Sequence, residues 1–179
     1  PEDPDTIELT APGTKRYAYF ARLDPDGNFL WARPAGADTT NTWIYAYGID
    51  VDACGNSYIT GYFNNTVYFG DPEDTDVIPL SAYGISDVVF IVKLDPQGNF
   101  LWARRAGSPN RSSNGEDIAV DDMGNSFITG TFMGKIFFGD PGQPGTKRLD
   151  SRGIFDAFMA RLDTEGNFIW ANQAGGLND

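Results

Sequence analysis

The sequence predicts an all-β protein built from repeated antiparallel sheets. Three nearly identical segments, LDPDGNFLWA, LDPQGNFLWA and LDTEGNFIWA, begin at positions 23, 94 and 162. A second phrase, VDACGNSYITGYF at 51–63, returns as VDDMGNSFITGTF at 120–132. Both phrases recur at a period of about 70 residues, as the starts at 23 and 94 and at 51 and 120 show. A fixed period of this length indicates that one supersecondary unit is repeated along the chain.

Each repeated phrase contains the motif Asp-x-x-Gly-Asn between two runs rich in β-branched and aromatic residues. An Asp-led turn that ends in Gly is typical of a β-hairpin with a type I turn and a left-handed Gly bulge. The Asp carboxylate accepts backbone N–H groups of the turn, and Gly takes positive φ without a steric penalty. The motif therefore predicts five hairpins, which begin at Asp24, Asp52, Asp95, Asp121 and Asp163.

The first copy of the motif, DPDGN at 24–28, also resembles the start of a calcium-binding EF-hand loop. That loop needs further oxygen ligands and a Glu at its twelfth position. Here Asp26 is replaced by Gln97 and Glu165 in the equivalent copies, and an apolar strand segment follows at once. The pattern favours a plain turn over a calcium site.

The spacing of the hairpins gives the number of strands in each repeat. Their starts at 24, 52, 95, 121 and 163 lie 28, 43, 26 and 42 residues apart, so each repeat contains two hairpins and four strands. In the repeat from 47 to 106 the strands are expected near 47–52, 56–63, 88–94 and 99–106. No segment shows a sustained 3.6-residue period, so helix should be almost absent. Tandem four-stranded sheets predict a β-propeller, with one repeat for each blade.

The repeats divide the chain into about two and a half blades. Residues 1–36 match the second half of a blade, 37–107 form a complete blade, and 108–179 form a complete blade with the entry to the next. Closed propellers typically have 4 to 8 blades. We therefore expect one incomplete propeller domain that is completed by the remaining blades of a larger chain. Self-association is the alternative, although each copy would supply the same outer half-blade and lack the inner one.

Longer segments of the chain resemble a known repeat family. GIDVDACGNSYITGYFNNTVYFGD followed by DVVFIVKLDPQGNFLWARRAG is similar to the bacterial beta-propeller repeat family known as SBBP, with hairpins ordered as in NHL-type propellers. DIAVDDMGNSFITGTFMGKIFFGD with DAFMARLDTEGNFIWANQAG repeats the likeness. The resemblance implies a propeller of extracellular or cell-surface bacterial proteins. It implies no catalytic residues.

Composition narrows the classes of function. The net charge is −12 and no segment is rich in Lys and Arg, which argues against a nucleic-acid or anionic-membrane partner. The longest obvious apolar run, VVFIV at 88–92, is far too short for membrane insertion. The chain contains no histidine, which excludes Ser-His-Asp and Cys-His catalysis and imidazole-bound zinc. Its one cysteine, Cys54, falls in a turn and is expected to be exposed, and no cofactor is expected.

The connections between hairpins indicate where a partner could bind. If all the Gly-Asn hairpins lie on one rim of the propeller, the other connections emerge on the opposite rim. These are long, at about 64–87 and 133–156 within blades and 36–46 and 107–116 between them. Because long loops in compact domains are often functional, the opposite rim is the candidate surface for a protein or glycan partner.

Three aromatic residues on this rim are not required by the repeat. Trp43, Tyr45 and Tyr47 alternate in TWIYAYG, whereas the aligned positions hold Ser112, Asn114 and Glu116. Such aromatics could form a stacking surface for a sugar or peptide, and they are the candidate ligand-binding residues. The alternative is that they pack over the neighbouring half-blade.

An acidic stretch on the same rim could hold a cation. DPEDTD at 71–76 offers Asp71, Glu73, Asp74 and Asp76, but its counterpart DPGQPG keeps only Asp140. No repeated metal site is therefore encoded, and a solvated acidic loop is the favoured interpretation.

Two classes of function remain. The first is a non-catalytic extracellular or cell-surface module for adhesion, assembly or ligand and protein binding. The alternative is part of a propeller enzyme that acts on polysaccharide or protein and has its site in the missing blades. Paired carboxylates could hydrolyse glycosides, yet no acid pair stands apart from the turns and acidic loops.

Overall fold

The computed structural model describes residues 6–9, 17–37, 41–71, 76–84 and 86–177. In this part of the chain every regular element is an antiparallel strand and no helix forms, which confirms the all-β prediction. Accordingly, no helix there has the length and apolarity to cross a membrane. The strands are β1 Tyr17–Leu23, β2 Phe29–Gly36, β3 Ile44–Val51, β4 Ser57–Phe63, β5 Thr66–Phe69, β6 Ile78–Ser81, β7 Val88–Leu94, β8 Phe100–Gly107, β9 Ser113–Val120, β10 Ser126–Phe138, β11 Lys147–Leu162 and β12 Phe168–Ala174.

The strands pair in the order expected for propeller blades. Strands β3, β4, β7 and β8 pair in sequence as one antiparallel sheet, here called blade 1. Strand β9, the first half of β10, the second half of β11 and β12 repeat this order as blade 2. Strands β1 and β2 pair as the outer two strands of a preceding blade, here called the half-blade. The division of the chain at residues 36 and 107, and the incompleteness of the propeller, stay predictions.

The predicted long loops within the blades are wrong. The connection 64–87 contains the hairpin β5–β6, and β5 pairs with β2 of the half-blade through Ala35↔Phe69 and Gly36↔Tyr68. In blade 2 the same connection is an extension of β10 and β11, which pairs with β8. Each connection thus adds a hairpin to the outer strand of the preceding blade. The connections between blades are also shorter than expected, because β3 begins at Ile44 and β9 at Ser113.

All five Asp-x-x-Gly-Asn segments form the predicted turn. In each, the Gly N–H donates to the Asp carbonyl at 2.9–3.0 Å, and the Gly φ lies between +78° and +89°. The Asp Oδ1 accepts two backbone N–H groups, as Asp95 does from Gln97 and Asn99 at 2.8 and 2.9 Å. The Asn side-chain amide donates to the Asp carboxylate as well. Since these bonds occupy the carboxylate oxygens, the turn alone explains why Asp recurs at this position, and no metal ion is needed to explain it.

The recurring tryptophans join neighbouring blades. The Trp31 indole covers the hairpin 95–99 of blade 1, and its Nε1–H donates to the Pro96 carbonyl at 3.0 Å. Trp102 does the same to the hairpin 163–167 of blade 2, with a 3.1 Å bond to the Thr164 carbonyl. Both indoles are 8% exposed. Around them lie two apolar clusters, one between the half-blade and blade 1 and one between blades 1 and 2.

Candidate functional site

The three candidate aromatics lie at the strand ends remote from the Gly-Asn hairpins. Strand β3 runs from Ile44, which pairs with Phe63, to Val51, which pairs with Ser57 beside the hairpin. Trp43 directly precedes β3, so it lies on the rim opposite the hairpins. Tyr45 belongs to the strand, which corrects the expected loop over 36–46, and Tyr47 lies in the strand as the prediction near 47–52 had it.

Trp43 is anchored by the chain around it. Its Nε1–H donates to Asp87 Oδ1 at 2.8 Å, and its backbone N–H donates to Asn64 Oδ1 at 2.9 Å. The Asn64 N–H returns a 3.2 Å bond to the Trp43 carbonyl. These bonds fix the plane of the half-buried indole and use its only polar group. Trp43 can therefore offer a ring face, but not a free donor.

Tyr45 and Tyr47 both pack on Tyr62 of the adjacent strand β4. Their ring centroids lie 5.2 and 5.7 Å from that of Tyr62, with interplanar angles of 33° and 49°. Tyr45 is the direct cross-strand partner of Tyr62, while Tyr47 occupies a bulge between Ala46 and Gly48. A bulge leaves one residue unpaired and re-aims its side chain, which brings both tyrosines to the same neighbour. Trp43, Tyr45, Tyr47 and Tyr62 are called the aromatic rim cluster below.

The aromatic rim cluster is partly open to solvent. Burial raises the pKa of Tyr62 above its ordinary value of 10.0, and its hydrogen bond with the Tyr47 hydroxyl raises it further. Tyr62 therefore stays protonated at neutral pH. Tyr47 is 55% exposed, so it presents the largest free ring surface of the cluster. Rings with hydroxyl edges suit the binding of an extended peptide or a sugar.

The tyrosines of the cluster lie on the face of blade 1 that is turned toward blade 2. Tyr62 is on the same face of β4 as Tyr58, whose ring packs in the apolar cluster between blades 1 and 2, and Tyr45 is the cross-strand partner of Tyr62. Ile44 points the other way, into the cluster shared with the half-blade. Packing of the aromatic residues over the half-blade stays an alternative, since residues 1–5 and 10–16 lie outside the described residues.

Blade 2 has the same backbone at this end but different side chains. The bulge recurs in the pairing of β9 with β10, between Thr129 and Gly130. The four aromatic positions are instead occupied by polar residues, namely Ser112, Asn114, Glu116 and Thr131. The bulge is therefore a feature of the fold, and the aromatic rings are not needed for it. Sequence reasoning missed Tyr62 and Asp87, although the change from Tyr62 to Thr131 between copies could have indicated the former.

The acidic stretch at 71–76 is only partly described. Asp71 and Asp76 are described, whereas Glu73 and Asp74 lie outside the described residues. In the described part of the chain no three His, Cys, Asp or Glu side chains come close enough to hold a metal ion. Cys54 is an exposed free thiol, as predicted.

Two equivalent grooves run between neighbouring blades. One, of about 700 Å³, is lined by Arg104, Asp140 and Asn167 among others, and its counterpart, of about 790 Å³, is lined by Arg33, Asp71 and Asn99. The Arg104 Nε–H donates to the Gly166 carbonyl at 3.0 Å, and Arg33 does the same to Gly98. Because these guanidinium groups are engaged in joining blades, the grooves follow from blade packing.

Comparisons with known proteins agree with this architecture. Residues 101–131 match the family model of the SBBP beta-propeller repeat, a segment that runs from β8 of blade 1 into β10 of blade 2. The chain is also similar to an uncharacterized WD repeat-containing protein of Acanthamoeba polyphaga mimivirus, with 30% identity over 161 residues. The match covers 87% of this chain and 11% of the relative, so the chain spans about a ninth of that relative's length. The prediction of a β-propeller repeat protein is confirmed.

Proposed function

We propose that this chain, which carries the SBBP beta-propeller repeat, is a non-catalytic protein-binding module whose partner contacts the aromatic rim cluster. One observation carries the proposal. The two blades share their strands, hairpins and bulge, yet blade 1 alone has aromatic rings at the four rim positions. Side chains that the fold does not require are available for recognition.

The chemistry of the cluster favours contact over catalysis. Tyr47 is exposed and packs on Tyr62, which also contacts Tyr45. Aromatic anchors of this kind supply much of the energy of protein interfaces. With a net charge of −12, the chain would attract a partner with a basic surface around its contact region. The Tyr62 hydroxyl stays protonated and the Trp43 indole N–H is already bound to Asp87, so these two groups supply neither a nucleophile nor a general base.

The comparisons support binding in general terms. The similar viral protein is named for WD repeats, and a tandem-repeat propeller of that kind supports a scaffold that binds other proteins. An extracellular or cell-surface location, and a role in adhesion or assembly, are parts of the proposal that rest on the resemblance to the SBBP family. A glycan partner is the second candidate, because exposed tyrosine rings also stack on sugars.

The experiment compares two baits that differ only at the rim. The wild-type chain and the triple variant W43S/Y45N/Y47E, which carries the residues of blade 2, are immobilised and exposed to lysate of the source organism. A protein retained by the wild-type chain alone is then purified, and its affinity for both chains is measured by calorimetry. We expect the triple variant to lose at least about tenfold in affinity.

Controls separate binding from folding and from glycan recognition. The variant M123A changes an exposed residue of a hairpin at the other end of the blades and should bind as the wild-type chain does. Circular dichroism must show the same β signal for all chains. Equal affinity of the triple variant and the wild-type chain for the partner would show that the binding site lies outside the aromatic rim cluster. If the chain binds a member of an oligosaccharide panel and no protein partner is found, the partner is a glycan rather than a protein. Hydrolysis by the purified chain would overturn the non-catalytic assignment.

A further inference from the structure

An internal contact shows how this chain holds an arginine side chain. The Arg105 guanidinium lies over the Tyr83 ring, 4.1 Å from its centroid, and donates to Asp140 Oδ1 at 2.6 Å. Another of its N–H groups donates to the Ser81 carbonyl. Because a guanidinium is planar, one face stacks on a ring while the N–H groups at its edge reach a carboxylate. A tyrosine ring beside a carboxylate is therefore a site for arginine in this chain.

The aromatic rim cluster also combines tyrosine rings with a carboxylate. Asp87 Oδ1 accepts the Trp43 Nε1–H at 2.8 Å. Burial raises the pKa of Tyr62, and the negative charge of Asp87 raises it further, so the carboxylate acts on the Tyr62 hydroxyl as well. The exposed Tyr47 is hydrogen-bonded to Tyr62 through its own hydroxyl. The Asp87 charge thus reaches the tyrosine rings and not only the indole.

No cation of the described chain neutralises this carboxylate. Among the described residues, Arg105 pairs with Asp140 and Arg148 pairs with Asp150, but no Arg or Lys forms an ion pair with Asp87. A carboxylate has about four acceptor sites on its two oxygens, and the Trp43 indole uses one of them. Asp87 is only half-buried, so the cluster keeps both negative charge and acceptor capacity for a donor from outside.

The carboxylate and the rings occur together in blade 1 and are both replaced in blade 2. The register of β4 with β7 and of β10 with β11 matches Val88 with Asp156, so Asp87 corresponds to Phe155. Asp156 itself is 2% exposed and accepts from the Gln173 side chain, so it does not stand in for Asp87. Blade 2 thus has polar residues at the four ring positions and a ring at the carboxylate position. The fold needs neither the rings nor the carboxylate.

We propose that the aromatic rim cluster binds an arginine side chain of the partner, which stacks on the tyrosine rings and donates to the Asp87 carboxylate. This deepens the proposed function and rests on it only for the statement that a protein supplies the arginine. The net charge of −12 favours the approach of a cationic group. Lysine suits the site less, because an ammonium group has neither a plane to stack nor a fork of N–H groups.

The experiment titrates the ¹⁵N-labelled chain with three capped pentapeptides, Gly-Gly-X-Gly-Gly, in which X is arginine, citrulline or lysine. Citrulline is the matched probe, because it has the shape of arginine without its charge. The Trp43 indole N–H signal reports binding, since this group is bonded to Asp87. It is one of four indole signals and is assigned by its loss in W43F. We expect the arginine peptide to bind about three- to tenfold more tightly than the other two.

Two variants test the two parts of the site. D87N keeps an oxygen for the Trp43 indole but removes the charge, so it should bind the arginine and citrulline peptides equally. Y45L/Y47L removes two rings and keeps Asp87, and it should bind the arginine peptide about three- to tenfold more weakly. D26Q is the matched control, because it removes one negative charge at an exposed position of the hairpin rim, where the next copy has Gln97. Circular dichroism and the Trp43 signal before titration check the fold of each variant.

The outcomes separate this inference from the proposed function. An arginine peptide that binds no more tightly than the citrulline peptide, or a D87N chain that keeps the preference for arginine, would overturn the inference. Equal binding of the lysine peptide would overturn the assignment to arginine. If W43S/Y45N/Y47E loses affinity for the purified partner while no peptide preference exists, the proposed function holds without an arginine. If the arginine peptide binds as expected while that variant keeps its affinity for the partner, the arginine site holds and the proposed function fails.

Discussion

The two rims of the propeller blades differ in what the repeat keeps constant. On the hairpin rim, all five turns have the same hydrogen bonds and the same left-handed Gly, and two tryptophans make the same contact with the next blade. On the opposite rim, blades 1 and 2 share a bulge, but blade 1 has four aromatic side chains where blade 2 has polar ones. Residues that recur serve turns and packing, and the residues that differ are free to serve recognition.

The largest expected effect is at a recurring tryptophan. W102A should lower the free energy of unfolding by about 3–5 kcal/mol, because the indole is buried between blades and its Nε1–H is bonded to Thr164. W170A, at the equivalent but half-buried position, should cost clearly less. Urea unfolding of both variants tests the difference. A loss below about 1 kcal/mol for W102A would contradict inter-blade packing at the hairpin rim.

A hairpin glycine should have the next largest effect. G98V should lower the free energy of unfolding by about 2–4 kcal/mol, since a Cβ there meets the Trp31 ring and the residue has positive φ. Q97A, at the exposed neighbouring position, should change it by less than about 0.5 kcal/mol. G27V has the same backbone strain but meets no described residue within 4 Å, so the difference between G98V and G27V isolates the packing contribution. Equal losses for G98V and Q97A would refute the bulge geometry.

The hairpin carboxylates should make stability depend on acid pH. Burial alone would raise the pKa of Asp95, but hydrogen bonds from Asn99 and the Gln97 N–H lower it below the ordinary 3.8. The stability that this carboxylate contributes is thus complete above about pH 4 and is lost as the pH falls through the lowered folded-state pKa. Thermal unfolding between pH 2 and 7 should show this loss, and D95N should reduce the slope. A pH-independent midpoint would contradict the turn assignment.

Much of the fold could be predicted from the sequence because its signals are local. The Asp-x-x-Gly-Asn motif determines its own turn, and the strands near 88–94 and 99–106 were found within one residue of β7 and β8. The hairpin β5–β6 was missed because its strands are short and its partner is β2 of the preceding blade. Strands of this length are too short for an alternating pattern of apolar and polar residues to be recognised, and the pairing with β2 is not visible in the local sequence.

The candidate site was predicted only in part for a similar reason. Comparison of the copies found Trp43, Tyr45 and Tyr47, since each differs from an aligned polar residue. The bulge at Tyr47 could not be found in this way, because it depends on how β3 pairs with β4. The bond from Trp43 to Asp87 joins residues 44 positions apart in the chain, and such a non-local contact leaves no local pattern that could have indicated Asp87.

The central claim is that the opposite rim binds a partner while the hairpin rim maintains the fold. The most direct test measures two free energies for W43S/Y45N/Y47E, that of unfolding and that of binding to the protein retained by the wild-type chain. The account predicts a change in unfolding of less than about 1 kcal/mol, because blade 2 folds with the same polar residues, and at least about tenfold weaker binding. Unchanged binding, or a stability loss as large as that of W102A, would contradict it.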